Sequence, residues 1–216
     1  MKKVIVSLTV AFAGLFATTS ANATVYFQSN FDGLNPSTKV INGGLLSLTA
    51  YGEPNNWGIV RDNALTIYSG QTYNGANSGA ISGLATDLAN GLSILRMTGS
   101  YKTFSAYDGT PWASAASIQW QNTAQYFTYN TVDVGLGGVS DWTNFTLDLN
   151  LAGLASDRNH IGEIQANFFI GGTTPGDLHL DNLKIETVAS VPEPSVASLL
   201  GFGVIGLVAT RFRRRS

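Results

Sequence analysis

Apolar and polar residues alternate with a period of two through much of the middle of this chain. Ala116, Ile118 and Trp120 face one way, and Ser117, Gln119 and Gln121 the other. Phe145, Leu147, Leu149 and Leu151 alternate with Thr146, Asp148 and Asn150, and Ile164, Ala166, Phe168 and Ile170 form a third stripe. Such stripes mark half-buried strands. Val25 and Phe27 alternate with Tyr26 and Gln28 in the same way. Further strands are predicted over 45–51, 64–69, 92–98 and 126–134, where apolar, aromatic or β-branched residues lie between turn signals. Residues 73–79 and 101–111 read as loops, and Ala85–Ala89 as one helical turn. Glycine-rich breaks at 135–138, 153 and 171–172 separate the runs. Eight to ten short strands of this kind predict an all-β fold, a two-sheet β-sandwich or jelly roll.

The last predicted strand changes phase. Leu178 and Leu180 share one parity, Leu183 and Ile185 the other. A one-residue slip would turn apolar side chains outward unless a bulge absorbs it. A bulge is therefore predicted at Asp181-Asn182, with Asp181 in a special geometry.

The two ends follow a different pattern. Lys2 and Lys3 precede a mostly apolar stretch, 4–17, and Ala21-Asn22-Ala23 has the small-x-small form of a cleavage site. Residues 1–23 thus read as a signal peptide, with maturation near Thr24. At the other end, Pro192-Glu193-Pro194 introduces Ser195–Thr210, sixteen residues without charge, followed by Arg211, Arg213, Arg214 and Arg215. As a helix this run would be about 24 Å long, short of a usual span unless the arginines snorkel to the interface. The basic cluster after the run orients the C-terminus to the cytoplasm and the body outward.

This ending resembles the PEP-CTERM sorting signal of Gram-negative bacteria in the order of its three parts across 191–216. The resemblance implies an exosortase as partner and Pro192, Glu193 and Pro194 as its substrate residues. It also implies a membrane helix at about 195–210 before processing, and delivery to the cell surface or extracellular matrix, often beside exopolysaccharide production.

Between the ends, 24–190 reads as one extracytoplasmic domain. Its segment 176–185 (Gly-Asp-Leu-His-Leu-Asp-Asn-Leu-Lys-Ile) looks like the closing strand of galactose-binding-like and carbohydrate-binding-module jelly rolls. Asp141-Trp142-Thr143-Asn144-Phe145-Thr146-Leu147 is similar to their tryptophan-containing strand entry, and Asn30-Phe31-Asp32 also fits. That resemblance implies a structural calcium between the N-terminal region and the final strand, pointing to Asp32 and Asp181; the plainer alternative is a bulge whose Asp caps its own backbone.

Charge and composition narrow the chemistry. Six of the twelve basic residues lie in the end segments, so the body keeps six against thirteen acids, a net of about −7. An acidic body argues against nucleic-acid binding. The absence of cysteine excludes disulfides, thiolate metal sites and a cysteine nucleophile. His160 and His179 carry no ligand spacing, and the three body glutamates, Glu53, Glu163 and Glu186, form no local pair, so an enzyme is not expected and a glycoside hydrolase or polysaccharide lyase is the weakest reading. Trp57, Tyr73, Tyr107 and Trp112 lie among asparagines in predicted loops, where aromatic rings and amides suit sugars. Trp120 and Trp142 read as core or sheet residues. Two expectations follow together: an exported surface or matrix protein with a structural or adhesive role, and binding of exopolysaccharide through those loop aromatics. A carbohydrate-binding module proper, with a defined glycan, is the alternative.

Overall fold

A computed structural model of the protein describes residues 22–36, 38–52, 60–69, 74–105, 116–124, 128–133, 141–170 and 176–190. Among these residues twelve strands form two antiparallel sheets. The first sheet runs β10 (Thr143–Asn150), β7 (Ile94–Ser105), β12 (Gly176–Val188), β5 (Ala64–Ser69), β4 (Val60–Arg61), and β1 (Thr24–Ser29) pairs with the second half of β12. The second sheet runs β2 (Val40–Asn42), β3 (Ser47–Tyr51), β6 (Asn74–Asn77), β11 (Ile164–Ile170), β8 (Ala116–Asn122), β9 (Thr128–Asp133). From β3 onward most connections change sheet, so the predicted sandwich is present with more strands than expected.

The stripes fill the space between the sheets. Ile118, Trp120, Ile164, Ala166, Phe168 and Ile170 are all fully buried, and Phe145, Leu147, Leu149 and Leu151 meet them from β10 and its end. Truncating a ring such as Phe168 to Ala would cost about 3–5 kcal/mol. Two side chains of the second sheet also reach backbone carbonyls of β10: Trp120 Nε1–H donates to Leu147 O at 3.1 Å and Asn130 Nδ2–H to Asp148 O at 2.8 Å.

The predicted bulge lies between Asp181 and Lys184, where the register of β12 on β7 shifts. It keeps Leu178, Leu180, Leu183 and Ile185 all fully buried despite their opposite parity. The left-handed residue is Asn182 (φ 51°), not Asp181. Asp181 instead accepts from the Asn182 backbone N–H at 2.6 Å. A second bulge, between Val25 and Phe27, corrects the reading of β1: Tyr26 and Phe27 both point inward and Val25 is exposed.

Two predicted loops are strands. Residues 101–105 extend β7, and Asn74–Asn77 is β6, inside the second sheet. Glycine and asparagine disguise β6, but Gly75 has a packing reason. A Cβ there would meet the Tyr51 hydroxyl at 2.3 Å and Phe168 O at 2.4 Å. The predicted helical turn is α1 (Leu84–Ala89). Its buried Asp87 accepts from the Tyr26 hydroxyl (2.7 Å), the Thr24 hydroxyl (3.1 Å) and the Thr187 hydroxyl, pinning the helix to β1 and β12. Burial, then the bond to Asp87, holds the Tyr26 phenol neutral far above its ordinary range. A 3₁₀ turn (Ala152–Asp157) and α2 (Arg158–Ile161) link β10 to β11.

Candidate functional site

The outward face of the second sheet carries an open groove of about 480 Å³. Its lining comes from four adjacent strands: Tyr51 of β3, Asn77 of β6, Gln165, Asn167 and Phe169 of β11, and Gln119 and Gln121 of β8. Alternation explains the set. The same strands that send Ile118, Trp120, Ala166 and Phe168 inward send these residues outward.

Register arranges them in rows. Tyr51 and Phe169 both pair with Gly75, so the two aromatic side chains flank a position without a side chain. The next row is Asn77, Asn167, Gln119, on β6, β11 and β8. The third pairs Gln165 with Gln121. Among the described residues no lining side chain is charged, and five of the seven are amides. Asn167 and Gln165 are buried in the floor, at 3% and 5% exposure.

The polar groups hold one another in place. The Tyr51 hydroxyl donates to Asn167 Oδ1 at 2.8 Å, and Gln165 Nε2–H donates to Gln121 Oε1 at 2.9 Å. The Thr128 hydroxyl donates to Gln119 Oε1 at 3.1 Å, and Gly79 N–H to Asn77 Oδ1 at 3.1 Å. Burial pushes the Tyr51 phenol up to about 12, against a smaller opposing effect of the bond to Asn167. The groove therefore offers apolar ring surface and neutral hydrogen-bonding groups, the chemistry that receives a sugar's C–H face and its oxygens. Among the described residues it contains no carboxylate pair of the kind that cleaves a glycosidic bond.

No family model matches the chain, and no curated protein matches it in sequence. Solved structures share part of its shape. One titled for CBM4 is 15% identical, with TM-score 0.41, covering 65% of this chain and 94% of that one. A family 29 carbohydrate-binding module is 15% identical, with TM-score 0.44, covering 78% and 90%. The CBM22-1 xylan-binding domain of Xyn10C from Paenibacillus barcinonensis is 12% identical, with TM-score 0.39, covering 80% and 100%. At these values the likeness adds nothing to what the strands themselves show.

Trp57, Tyr73, Tyr107 and Trp112 lie outside the described residues, as do Pro192, Glu193, Pro194, the apolar run after them, and Arg211, Arg213, Arg214 and Arg215. Among the described residues no helix is long and apolar enough to cross a membrane. Trp120 is core, as expected, but Trp142 is not: it is 43% exposed, with Lys102 Nζ 4.6 Å from its ring centroid. It precedes the edge strand β10, where only one neighbouring strand can cover it. The signal for the groove was present in the polar phase of β8 and β11. Gln119, Gln121, Gln165 and Asn167 are amides at outward positions where a solvated face would mix in charges.

Asp32 lies three residues after the end of β1, and Asp181 sits at the bulge of β12. Ser29, the end of β1, pairs with Leu183, so the turn after it leaves the sheet beside the bulge. Phe31 in that turn is buried and left-handed (φ 57°). Each carboxylate already has local partners: Asp32 Oδ2 accepts from Asn30 at 2.7 Å, and Asp181 Oδ2 from Asn182 at 3.0 Å. Among the described residues no group of three or more His, Asp or Glu could hold a metal ion. The residues thus fit calcium only in part, as two oxygen donors where it takes six to eight.

The two histidines serve the framework. His160 Nδ1 lies 3.1 Å from Glu163 Oε2, and Asn122 Nδ2–H donates to the same oxygen at 2.8 Å. These bonds, Asn122's first, hold the Glu163 carboxyl below its ordinary value. His179 is buried on the outward side of β12, its Nε2 3.5 Å from Asp177 Oδ2.

Proposed function

We propose that this protein binds polysaccharide in the groove of the second sheet, outside the cytoplasmic membrane, as a component of the cell surface or extracellular matrix. The carrying observation is the uncharged set of two aromatic and five amide side chains on one sheet face. Amides can be stripped of water at far lower cost than ions. Aromatic faces gain by covering apolar C–H surface. An open groove across four strands admits an extended chain rather than a small enclosed molecule. The loop aromatics Trp57, Tyr73, Tyr107 and Trp112 are proposed to extend this surface. The location rests on the two ends of the sequence, with exosortase the partner at Pro192-Glu193-Pro194. Calcium at Asp32 and Asp181 is proposed as a structural ion, outside the groove.

The test is affinity electrophoresis of the purified protein through gels containing a panel of polysaccharides, with and without calcium. Tyr51→Ala and Phe169→Ala should each weaken retention about tenfold or more, by the loss of one stacking ring. Retention of both variants at the wild-type level would remove the groove from the mechanism. A melting temperature that ignores both calcium and chelator would remove the ion. For the tail, replacing Pro192, Glu193 and Pro194 with alanine should leave an unprocessed membrane-held form; unchanged mass and release would exclude sorting by this segment.

A further inference from the structure

The hydrogen bonds inside the groove fix which end of each amide meets a ligand. An amide side chain has one carbonyl and two N–H donors. Four of the five groove amides have the carbonyl engaged within the protein. Asn77 Oδ1 accepts from Gly79 N–H, Asn167 Oδ1 from the Tyr51 hydroxyl, Gln119 Oε1 from the Thr128 hydroxyl, and Gln121 Oε1 from Gln165. Asn77, Asn167 and Gln119 share one row across β6, β11 and β8. Adjacent strands are about 4.8 Å apart. The row is therefore a comb of three N–H₂ groups at about that spacing, with Tyr51 and Phe169 one row along, about 7 Å away.

Resting on the reading of the groove as a glycan site, we propose that it selects an acylated, uncharged polysaccharide, whose acyl carbonyls meet the comb of Asn77, Asn167 and Gln119. A sugar hydroxyl brings a donor to which this row offers only the second lone pair of carbonyls that already accept one bond each, and a poorly served buried donor is costly. An acyl carbonyl brings acceptors only, and its methyl finds apolar surface at Tyr51 and Phe169. A uronate carboxylate also accepts, but among the described residues the lining holds no cation to offset its lost hydration. The body's thirteen acids against six bases repel a polyanion at longer range.

The probes are O-acetylated xylan and O-acetylated mannan, each before and after mild alkaline de-esterification, with polygalacturonate as the charged arm. The expected result is retention at least about tenfold tighter on the acetylated forms, the value of one or two well-placed hydrogen bonds. Gln119→Glu replaces a donor by an acceptor at nearly constant shape. It should lower retention on the acetylated polymers more than on the de-esterified ones and so remove the preference; if it fails to fold, as read by circular dichroism, Asn77→Asp makes the same exchange. Equal or tighter retention on de-esterified polymer overturns the acyl proposal and leaves the groove reading standing. Preference for polygalacturonate overturns it in favour of carboxylates. Retention on no polymer, or retention indifferent to Tyr51→Ala and Phe169→Ala, overturns the groove reading itself.

Discussion

The two sheets present outer faces built by the same alternation and stocked with different chemistry. On the first sheet, Arg96 binds Asp148 through two parallel bonds of 2.7 Å, Lys184 meets Glu186 at 2.6 Å, and Lys102 lies over Trp142. Asp148, Arg96 and Glu186 occupy one row across β10, β7 and β12, so charges of opposite sign alternate along it. The bonds to Asp148 raise the Arg96 guanidinium further above its ordinary value. The described lining of the groove on the second sheet carries no charge. Ions hold their water tightly and keep a face wet; amides release it cheaply and leave room for something else to bind. The contrast teaches that polar is too coarse a label for an outward strand position: the kind of polar group separates a face that is only solvated from one that can receive a ligand.

The most damaging way to break the contrast is at Gly75. Gly75→Val would push a side chain into the Tyr51 hydroxyl and the Phe168 carbonyl. It should abolish polysaccharide retention and cost about 1–3 kcal/mol of stability in denaturant unfolding, the range for overpacking. Wild-type retention would show that the ring's position is irrelevant. A smaller effect should come from the charged face. Asp148→Asn breaks the paired bonds to Arg96, both partners being over a third exposed. The expected loss is about 0.2–1 kcal/mol, shrinking in high salt, with retention unchanged. Retention falling as far as in Tyr51→Ala would place the ligand on the wrong face. The finest test is alkaline. The Tyr51 phenol has an ordinary value of 10.0 and sits at about 12 in the fold. Its folded value is raised, so its contribution is whole below pH 10 and is lost as pH rises toward about 12. Tyr51→Phe should therefore lose less stability than wild type across that window in pH-jump unfolding, and an identical alkaline limb in both proteins would refute the assignment.

Much of the sandwich could be read from the chain because its core strands obey the period of two. The stripes at 116–120, 145–151 and 164–170 need no knowledge of their partners to be seen. The slip at Asp181-Asn182 was legible for the same reason, as a break in an otherwise strict rule. β6 was not legible, because Asn74-Gly75-Ala76-Asn77 has turn composition; its place in the sheet is set by pairing with β3 and β11, where the Tyr51 hydroxyl and Phe168 O leave no room for a Cβ at Gly75. Trp142 misled in the opposite sense, since indole burial depends on a neighbouring strand that an edge position lacks. The groove was half legible. Gln119 and Gln121 were seen as the polar side of β8, but their rows with Gln165, Asn167 and Asn77 arise from pairings up to tens of residues apart, which local pattern does not carry.

The bonds from Trp120 and Asn130 to Leu147 O and Asp148 O have a consequence beyond closing one side of the sandwich. Successive carbonyls of a strand point to opposite edges, so one of these two acceptors points away from β7. β10 ends its sheet, and an outer strand with unspent acceptors is a template onto which a sister chain can add. A copy approaching β10 would first have to evict a side chain from a formed bond. Packed densely, such molecules would stay discrete folds rather than polymerise strand on strand into cross-β fibres.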